Sequence, residues 1–374
     1  MQRTKTYNLS MAALLLPLLL AFFARPGLAA QSASEKELGP KALKIVVSDV
    51  KSSDSDVREQ AVLVLGEAGN KAAEGMLRDM LNDRDKYVRI AAARALWELG
   101  SPAGMKTVRA IIDDVPAQGP IPVTNDPLVQ LRIISQNSIR EKAIEAYAWM
   151  RGEKGADLLY KLKNDAYGPI RDTAARELAR LGHDDELSTF INALSDQDEA
   201  VRFEAATVLS KICHPAGAGP LAKLAAGDDS VRVRMAALDA LACSPAKRDA
   251  EDVLLKLADD NNPTIRYKAI AALGGIRDAK VKTKLFQISQ DSKDIRVRIA
   301  AQKALMLCGA QPDVSVVRDA MTAASPDIRL AALDVAASFP EDEALPIFAQ
   351  GLDDPDTKVK LAAALRVLRL AGRS

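Results

Sequence analysis

The stretch NDRDKYVRIAAARALWELG, residues 82–100, decides the fold. Asp83 and Asp85 precede Val88 and Arg89, and three consecutive alanines follow. Alanine favours the helical state but offers little apolar surface, so a helix of this kind needs close neighbours on both sides. Copies of the same stretch elsewhere in the chain can supply these neighbours.

The context of Arg89 occurs ten times along the chain, and these copies define ten units. The last copy carries Lys360, and the other nine carry Arg58, Arg89, Arg140, Arg171, Arg202, Arg234, Arg266, Arg298 and Arg329. Successive copies are 31 or 32 residues apart, except for one interval of 51. With positions counted from this basic residue, −1 is β-branched and +3 is alanine in all ten copies. A fixed period of this length indicates a repeat architecture.

Each unit is predicted to be a helical hairpin. Positions −1, +3 and +7 lie on one stripe of a helix, so the segment after each basic residue is amphipathic. Upstream apolar residues such as Met76, Leu77 and Met80 predict a first helix, joined to the second by a short polar turn. Glycine, which often ends helices, stands at +11 in Gly69, Gly100, Gly182 and Gly309. Such hairpins bury their apolar faces by stacking on one another.

The pattern Asp-x-x-x-Val-Arg-x-x-Ala-Ala-x-Ala-Leu resembles the short HEAT-like repeat associated with phycobilin lyases. The resemblance covers roughly residues 41–374. It implies an all-α fold, an α-solenoid of about ten stacked helical hairpins forming a HEAT/armadillo-like superhelix. At ~10 Å for each stacked layer, the solenoid would be about 100 Å long along its curved axis. The repeat class does not specify a function, because many unrelated scaffolds use it.

The first thirty residues have the pattern of a secretory signal peptide. Arg3 and Lys5 precede an apolar run over residues 11–23, and small residues follow at 27–30. A retained membrane anchor is the alternative, but the run is shorter than the ~20 residues that span a bilayer. We therefore expect cleavage near Ala29 and Ala30, a short polar linker over 31–40, and a periplasmic or secreted protein with no membrane span.

Overall charge does not select an anionic partner. The chain has 51 Lys and Arg against 50 Asp and Glu, a net charge of +1. Removal of the signal segment takes away three basic residues and no acidic ones, which leaves −2. Nucleic-acid binding is not expected of an exported chain with this balance.

The repeated arginines are interpreted as structural contacts between units. Aspartate recurs at −6 or −4, as in Asp83 and Asp85, where it can cap the second helix. The arginine at position 0 can reach the aspartate of its own unit or of the next. An anion-binding strip is the functional alternative, but a residue present in every unit suits architecture better than a single site.

The interval of 51 residues marks an insertion at about residues 101–127. Its segment DDVPAQGPIPVTNDP, residues 113–127, is rich in proline and predicts a protruding loop beside an additional helix. The loop is as compatible with a tolerated insertion as with a functional one. The aromatic residues that flank it, with nearby charges, are the candidate protein-binding residues: Arg94, Trp97, Glu145 and Trp149. Alternatively, the two rings cover the junction beneath the insertion.

Histidine and cysteine are scarce, and we predict no metal site and no cofactor. His183, His214, Cys213 and Cys243 are conceivable zinc ligands, but they stand in units whose layers are ~10 Å apart. The same separation argues against a disulfide between the two cysteines, which needs Cα atoms ~4.4–6.8 Å apart.

The predicted function is an exported, non-catalytic scaffold that binds another protein through the face formed by its second helices. Deoxyhypusine hydroxylase resembles this architecture, and the resemblance implies a di-iron site built from several His-Glu pairs. Here His183 and His214 are the only histidines, and neither precedes a glutamate. We therefore predict that the chain is not an enzyme. The alternatives are an enzyme or lyase-like accessory factor built on HEAT-like repeats, and a structural subunit of an envelope complex.

Overall fold

The computed structural model describes residues 26–116 and 127–372, and most of the predicted signal peptide lies outside these ranges. The described residues form helical hairpins and contain no strand. None of their helices is long and apolar enough to cross a membrane. Residues 31–40, which we expected to be a linker, instead continue the first helix.

The first helix of each unit carries an odd number. These helices are α1 (Pro26–Asp49), α3 (Glu74–Met80), α5 (Met105–Ile112), α7 (Ala156–Leu162), α9 (Asp184–Ala193), α11 (Ala218–Gly227), α13 (Glu251–Leu257), α15 (Ala279–Asp291), α17 (Val314–Ala320) and α19 (Glu341–Leu352).

The second helix of each unit carries an even number and the basic residue of the repeat. These helices are α2 (Ser55–Glu67), α4 (Lys86–Glu98), α6 (Pro127–Arg151), α8 (Gly168–Arg180), α10 (Glu199–Ile212), α12 (Val231–Cys243), α14 (Pro263–Leu273), α16 (Ile295–Leu307), α18 (Pro326–Ala336) and α20 (Thr357–Ala371).

The repeated turn and glycine residues set the ends of the second helices. At −4, Asp85 accepts a hydrogen bond from the backbone N–H of Tyr87 at 2.7 Å and so caps α4. Asp54 and Asp356 cap α2 and α20 in the same way. At the other end of α4, Gly100 has a φ of +83°, a left-handed conformation that glycine adopts without strain.

The ten units close into a ring. Each even helix packs against the even helices of the units before and after it, and α20 packs against α2 and α1. The odd helices contact one another little, so they lie outside and the even helices surround a central opening. Ten helices spaced by 8–10 Å leave an opening roughly 20 Å across. The α-solenoid class is confirmed, but the repeat pattern did not predict that its ends meet.

The seam where unit 10 meets unit 1 repeats one ion pair of an ordinary junction and has a continuous apolar core. Lys41 on α1 lies 2.6 Å from Asp353 in the last turn, and Lys284 on α15 reaches Asp259 of the preceding turn at 2.6 Å. One apolar cluster also joins the two ends, and it includes the fully buried Val46. The seam is therefore part of the core of the ring.

Small residues allow the second helices to approach closely. A Cβ placed on Gly66 of α2 would lie 2.5 Å from the Cα of Ala95 on α4. A Cβ on Gly104 would lie 2.4 Å from the Cα of Ala93. The alanine-rich second helices bury little surface singly, but their neighbours on both sides leave Ala91 and Ala92 almost without exposure.

The insertion takes a different form from the one predicted. α5 is the ordinary first helix of unit 3, and the described residues contain no separate additional helix. Instead α6 begins at Pro127, thirteen residues before Arg140, whereas α4 begins three residues before Arg89. This extension carries Leu128 and Leu131, which are 72% and 60% exposed. Residues 117–126 of the predicted loop lie outside the described ranges.

Cys213 and Cys243 form a disulfide, with their Cα atoms 5.3 Å apart. The prediction that their separation would prevent this is wrong. The ~10 Å spacing applies to the axes of adjacent helices, whereas residues on the facing sides of α10 and α12 are much closer. The third cysteine, Cys308, is free and buried.

Candidate functional site

Five of the repeated arginines make ion pairs across unit boundaries. In each pair the arginine binds the −6 aspartate of the following unit, and we call this set the Arg–Asp ladder. Its pairs are Arg58–Asp83, Arg140–Asp165, Arg202–Asp228, Arg234–Asp260 and Arg329–Asp354. Both guanidinium edges are used, since Arg329 bonds Asp354 at 2.7 and 2.8 Å and also donates to two carbonyls of its own turn.

The ladder carboxylates are stabilised in their charged form. Burial acts to raise the pKa of Asp354, but hydrogen bonds from Arg329 and from the backbone N–H of Asp356 outweigh it and lower that pKa. For Asp260, the backbone N–H of Asn262 and the guanidinium of Arg234 lower the pKa despite burial. These groups are fully partnered and hold neighbouring turns together.

Three arginines do not join the ladder. Within the described residues, Arg89, Arg171 and Arg266 hydrogen-bond only to backbone carbonyls of their own turns. Arg298 lies 3.5 Å from Asp319, which belongs to a first helix and not to a turn. The arginine row is therefore not uniform, although the sequence repeats it.

A second group of residues, mostly charged and with two aromatic members, lies on the sides of α2, α4, α6 and α8 that face the central opening. We call it the inner cluster. Its members are Glu59, Tyr87, Arg94, Glu141, Lys142, Glu145, Trp149 and Arg176. Unlike the ladder, it occurs only once in the ring.

Three of the four candidate protein-binding residues belong to the inner cluster. The guanidinium of Arg94 lies over the ring of Trp149, 4.9 Å from its centroid. Trp149 is 42% exposed, so this cation–π pair is open to the central opening. Glu145 lies on the same helix face. Trp97 differs, since its ring is partly buried against the apolar core around Ile112 beneath the insertion.

The basic members of the inner cluster have unused donors. Arg176 donates to Glu145 at 2.6 Å, and Lys142 lies 3.5 Å from the same carboxylate. In the described part of the chain, the Nε atoms of Arg94 and Arg176 are buried and have no hydrogen-bond partner. A buried N–H without an acceptor is costly, so a bound acceptor there would be stabilised.

The acidic members have perturbed pKa values. Burial raises the pKa of Glu59, and the positive charges of Lys142 and Arg94 only partly oppose this. Burial also raises the pKa of Glu141, with Arg176 acting in the opposite direction. Tyr87 has a pKa raised by burial and by the nearby charges of Asp85, Glu59 and Glu141. Titratable groups perturbed by burial and by neighbouring charges are found often at functional sites.

Sequence reasoning missed Glu59, Tyr87 and Glu141. A signal was present, because position +1 is acidic in only three units, at Glu59, Glu141 and Asp172, and apolar in the others. An acidic residue at a repeat position that is apolar in most units marks a place where the inner wall carries charge.

The two histidines lie apart from the inner cluster and from each other. His183 pairs with the hydroxyl of Tyr160 at 2.9 Å and stands 3.4 Å from Glu153. His214 accepts a hydrogen bond from the backbone N–H of Ala216 and so caps a short helical turn. The described residues contain no group of three or more His, Cys, Asp or Glu that could hold a metal ion.

The family model for HEAT repeats matches residues 42–118, 156–242 and 218–306, which together are more than half of the chain. The chain is a HEAT repeat protein. The resemblance seen in the repeat pattern is confirmed.

The curated relatives of this HEAT repeat protein are enzymes. It is 25% identical over 268 residues to deoxyhypusine hydroxylase of Aspergillus oryzae, covering 65% of this chain and 78% of that protein. The deoxyhypusine hydroxylase of Gibberella zeae is also 25% identical, over 62% of this chain and 76% of its own length. Among solved structures, the CpcE–CpcF complex of phycocyanin lyase from Nostoc matches 74% of this chain and 92% of its own, at 18% identity and a TM-score of 0.34.

These relatives contradict the predicted function. We expected a non-catalytic scaffold, but the curated relatives are named as an enzyme. The expectation rested on the missing His-Glu pairs, and missing ligands for one metal centre exclude only that centre and not catalysis in general.

A di-iron centre of the kind expected for the hydroxylase does not fit this chain. The sequence has two histidines in all, and neither precedes a glutamate. His214 caps a helical turn, and His183 pairs with Tyr160. The donor set that such a centre needs is therefore missing, and any chemistry at the inner cluster must use other groups.

Proposed function

We propose that this HEAT repeat protein is an enzyme, or a lyase-like accessory factor of an enzyme, that acts on a segment of another protein at the inner cluster. The observation that carries the proposal is the pair Glu59 and Glu141, two carboxyls whose pKa values burial raises on one inner wall. The enzyme relatives support a catalytic role over a passive one.

The groups of the inner cluster suit acid–base chemistry. Glu59 and Glu141 can accept or donate a proton, because their raised pKa values bring the neutral form closer to physiological pH. The Nε–H of Arg94, which has no hydrogen-bond partner among the described residues, can stabilise negative charge that develops on a substrate. Trp149 offers an exposed aromatic surface against which a substrate can pack.

The ring supports a protein segment as substrate. An opening roughly 20 Å across admits an extended chain or a single α-helix, which is about 10–12 Å wide. The inner wall outside the cluster also presents apolar side chains, among them Tyr267, which is 43% exposed, and Leu307, which is 48% exposed. A segment in the opening would meet charged groups on one side and apolar groups on the other.

The test compares protein modifications in cells that lack the gene and are complemented with different variants. We expect proteome-wide mass spectrometry to find at least one modification that the wild-type protein restores. The double variant Glu59→Gln, Glu141→Gln should not restore it, because amides cannot exchange protons in this way. Glu204→Gln, which changes an exposed glutamate on α10, is the matched control and should restore it fully.

Two results would reject this function. One is a proteome with no modification that depends on the gene. The other is full restoration by the double variant, which would show that the inner cluster is not the working site.

We further propose that the protein is exported. The signal-peptide pattern of residues 1–30 supports this, and so does the Cys213–Cys243 disulfide, since such bonds persist in oxidising compartments. Fractionation combined with a maleimide mass tag tests both points. We expect the envelope or medium fraction to contain protein in which only Cys308 reacts after denaturation. Cytosolic protein with three reactive thiols would contradict export.

A further inference from the structure

Arg89 departs from the ladder at the insertion. Its Nε–H donates to the carbonyl of Asp83 and one Nη donates to the carbonyl of Arg84, both in its own turn. In the ladder, the Nε and Nη2 edge of Arg58 meets Asp83 at 2.9 Å, whereas at Arg89 carbonyls of its own turn take that edge. The edge formed by the two Nη atoms of Arg89 is the one left for another acceptor. No side-chain carboxylate of the described residues takes that place at Arg89.

The cause is the extended helix of unit 3. The −6 position before Arg140 is Ile134, which lies within α6 and not in a turn. Its side chain is 62% exposed. The aspartate that the repeat places at −6 is therefore missing from unit 3, and the turn after α5 carries Asp113 and Asp114 instead.

The place left beside Arg89 is an open cavity of about 560 Å³. Its wall includes Asn82, Lys86, Lys106 and Thr107, so it carries several hydrogen-bond donors around the guanidinium. These side chains come from α4, from α5 and from the turn between α3 and α4 within unit 2.

Two carboxylates also line the cavity, and each is already held by a basic side chain. Asp114 accepts from Lys86 at 2.5 Å, and Asp113 accepts from Arg109 at 3.0 Å. Once these pairs are made, the charges that remain around the cavity are those of Arg89 and Lys106. The cavity is therefore positive beside Arg89.

We propose that this cavity binds a small oxyanion, a carboxylate or a phosphate, at the free edge of Arg89. The five ladder pairs are the internal precedent, because each shows the arginine at this position of the repeat bound to a carboxylate. Arginine presents a planar pair of N–H donors that matches both carboxylate and phosphate oxygens. The site lies at the edge of the ring and does not depend on the function proposed for the inner cluster.

Isothermal titration calorimetry of the purified protein at low salt tests the site. Glutarate and inorganic phosphate are the two probes, titrated separately against matched chloride, so that the two arms show which oxyanion is preferred. We expect saturable binding of at least one probe. Arg89→Ala should weaken it at least tenfold, because the bidentate contact is lost.

Arg266→Ala is the matched control, because Arg266 also donates only to carbonyls of its own turn, at 2.7 and 3.0 Å, and does not line this cavity. It should leave binding unchanged. Thr107→Asp places a carboxylate on the cavity wall, so it should weaken binding at least tenfold, whereas Thr107→Asn should not. These two variants keep Arg89, so they remain informative if Arg89→Ala fails to fold.

The proposal is overturned if neither probe binds saturably to the wild-type protein. It is also overturned if Arg89→Ala folds and binds like the wild type, or if Arg266→Ala weakens binding as much as Arg89→Ala. Equal binding by Thr107→Asp and Thr107→Asn would have the same consequence.

Discussion

Two junctions of the ring differ in an unexpected way: the one at which the chain is interrupted is regular, and the one at which the chain is continuous is irregular. The seam joins units 10 and 1, which no peptide bond connects, yet it shares an apolar core with its neighbours and repeats one ion pair of a regular junction. Lys41–Asp353 reproduces Lys284–Asp259, and Arg369 of α20 pairs with Glu67 of α2 at 3.1 Å. The junction of units 2 and 3 is continuous in the chain, yet it breaks the rule of the repeat.

The irregular junction brings together several departures from the repeat. Arg89 has no ladder aspartate there, and α6 is extended at its start. The inner cluster lies on the inner side of the same region and includes Arg94 and Trp149 from units 2 and 3. The apolar core and two ion pairs thus hold the ring closed at its seam, whereas the irregular junction supplies charged groups that are not fully partnered. Incomplete partnering costs stability and is typical of functional sites.

The largest expected difference concerns the ladder. Arg329→Ala should cost about 3–5 kcal/mol in the free energy of unfolding, because it leaves Asp354 buried without its partner. Arg329 and Asp354 are only 8% and 7% exposed. Arg89→Ala, at the irregular junction, should cost about 1 kcal/mol, since it loses only hydrogen bonds to carbonyls. Chemical denaturation measures both values, and equal costs would show that the ladder pairs add no special stability.

A smaller effect compares the core of the seam with that of a regular junction. Val46 of α1 and Val281 of α15 are both fully buried, and both lie on first helices. Each change to alanine should cost about 2 kcal/mol, from lost burial and the cavity left behind. If the ring opens in solution, Val46→Ala will cost much less than Val281→Ala.

The smallest expected effect is that of the double change Glu59→Gln, Glu141→Gln, which should stabilise the protein at neutral pH, whereas the preceding substitutions destabilise it. In the folded protein Glu59 and Glu141 have raised pKa values, so between the unfolded and folded values the folded state binds more protons. Stability attributable to these groups is therefore present at low pH and lost as pH rises through their folded pKa values. The double change to glutamine should leave the protein equally stable near pH 4 and slightly more stable at pH 7, by less than about 1 kcal/mol.

The comparison for this pH dependence is Asp354→Asn. The folded pKa of Asp354 is lowered, so its contribution is present above the unfolded value and lost as pH falls through the folded one. Asp354→Asn should be less stable than the wild type at pH 7, and the difference should shrink in acid. Urea denaturation at several pH values measures the free energy of unfolding of both variants relative to the wild type. If these two differences change with pH in the same direction, the contrast between ladder and inner cluster is contradicted.

Much of the fold could be predicted from the sequence, because the repeat states each local rule ten times. Val88 and Ala92 show the core stripe, and Gly100 shows where a helix ends. Ring closure could not be predicted, since it depends on a small rotation at each junction that accumulates over ten units. The pattern fixes which faces pack but not the angle at which they pack.

The candidate site could be predicted only in part. Arg94, Glu145 and Trp149 were found because they stand beside the break in the period. Glu59 was missed because its importance comes from burial against units two steps away, near Lys142, and no local pattern shows this. The disulfide was missed for a related reason, because the distance between Cys213 and Cys243 depends on how closely two helices approach.

The closed ring is tested most directly by the distance between its ends. Spin labels at cysteines that replace Lys41 and Asp353, in a Cys308→Ser background that keeps the native disulfide, can be measured by double electron–electron resonance. The native side chains are 2.6 Å apart, so the ring predicts a narrow distribution below about 20 Å, set by the label linkers. An open superhelix of ten units would separate the labels by several tens of ångströms, and such a distribution would contradict closure.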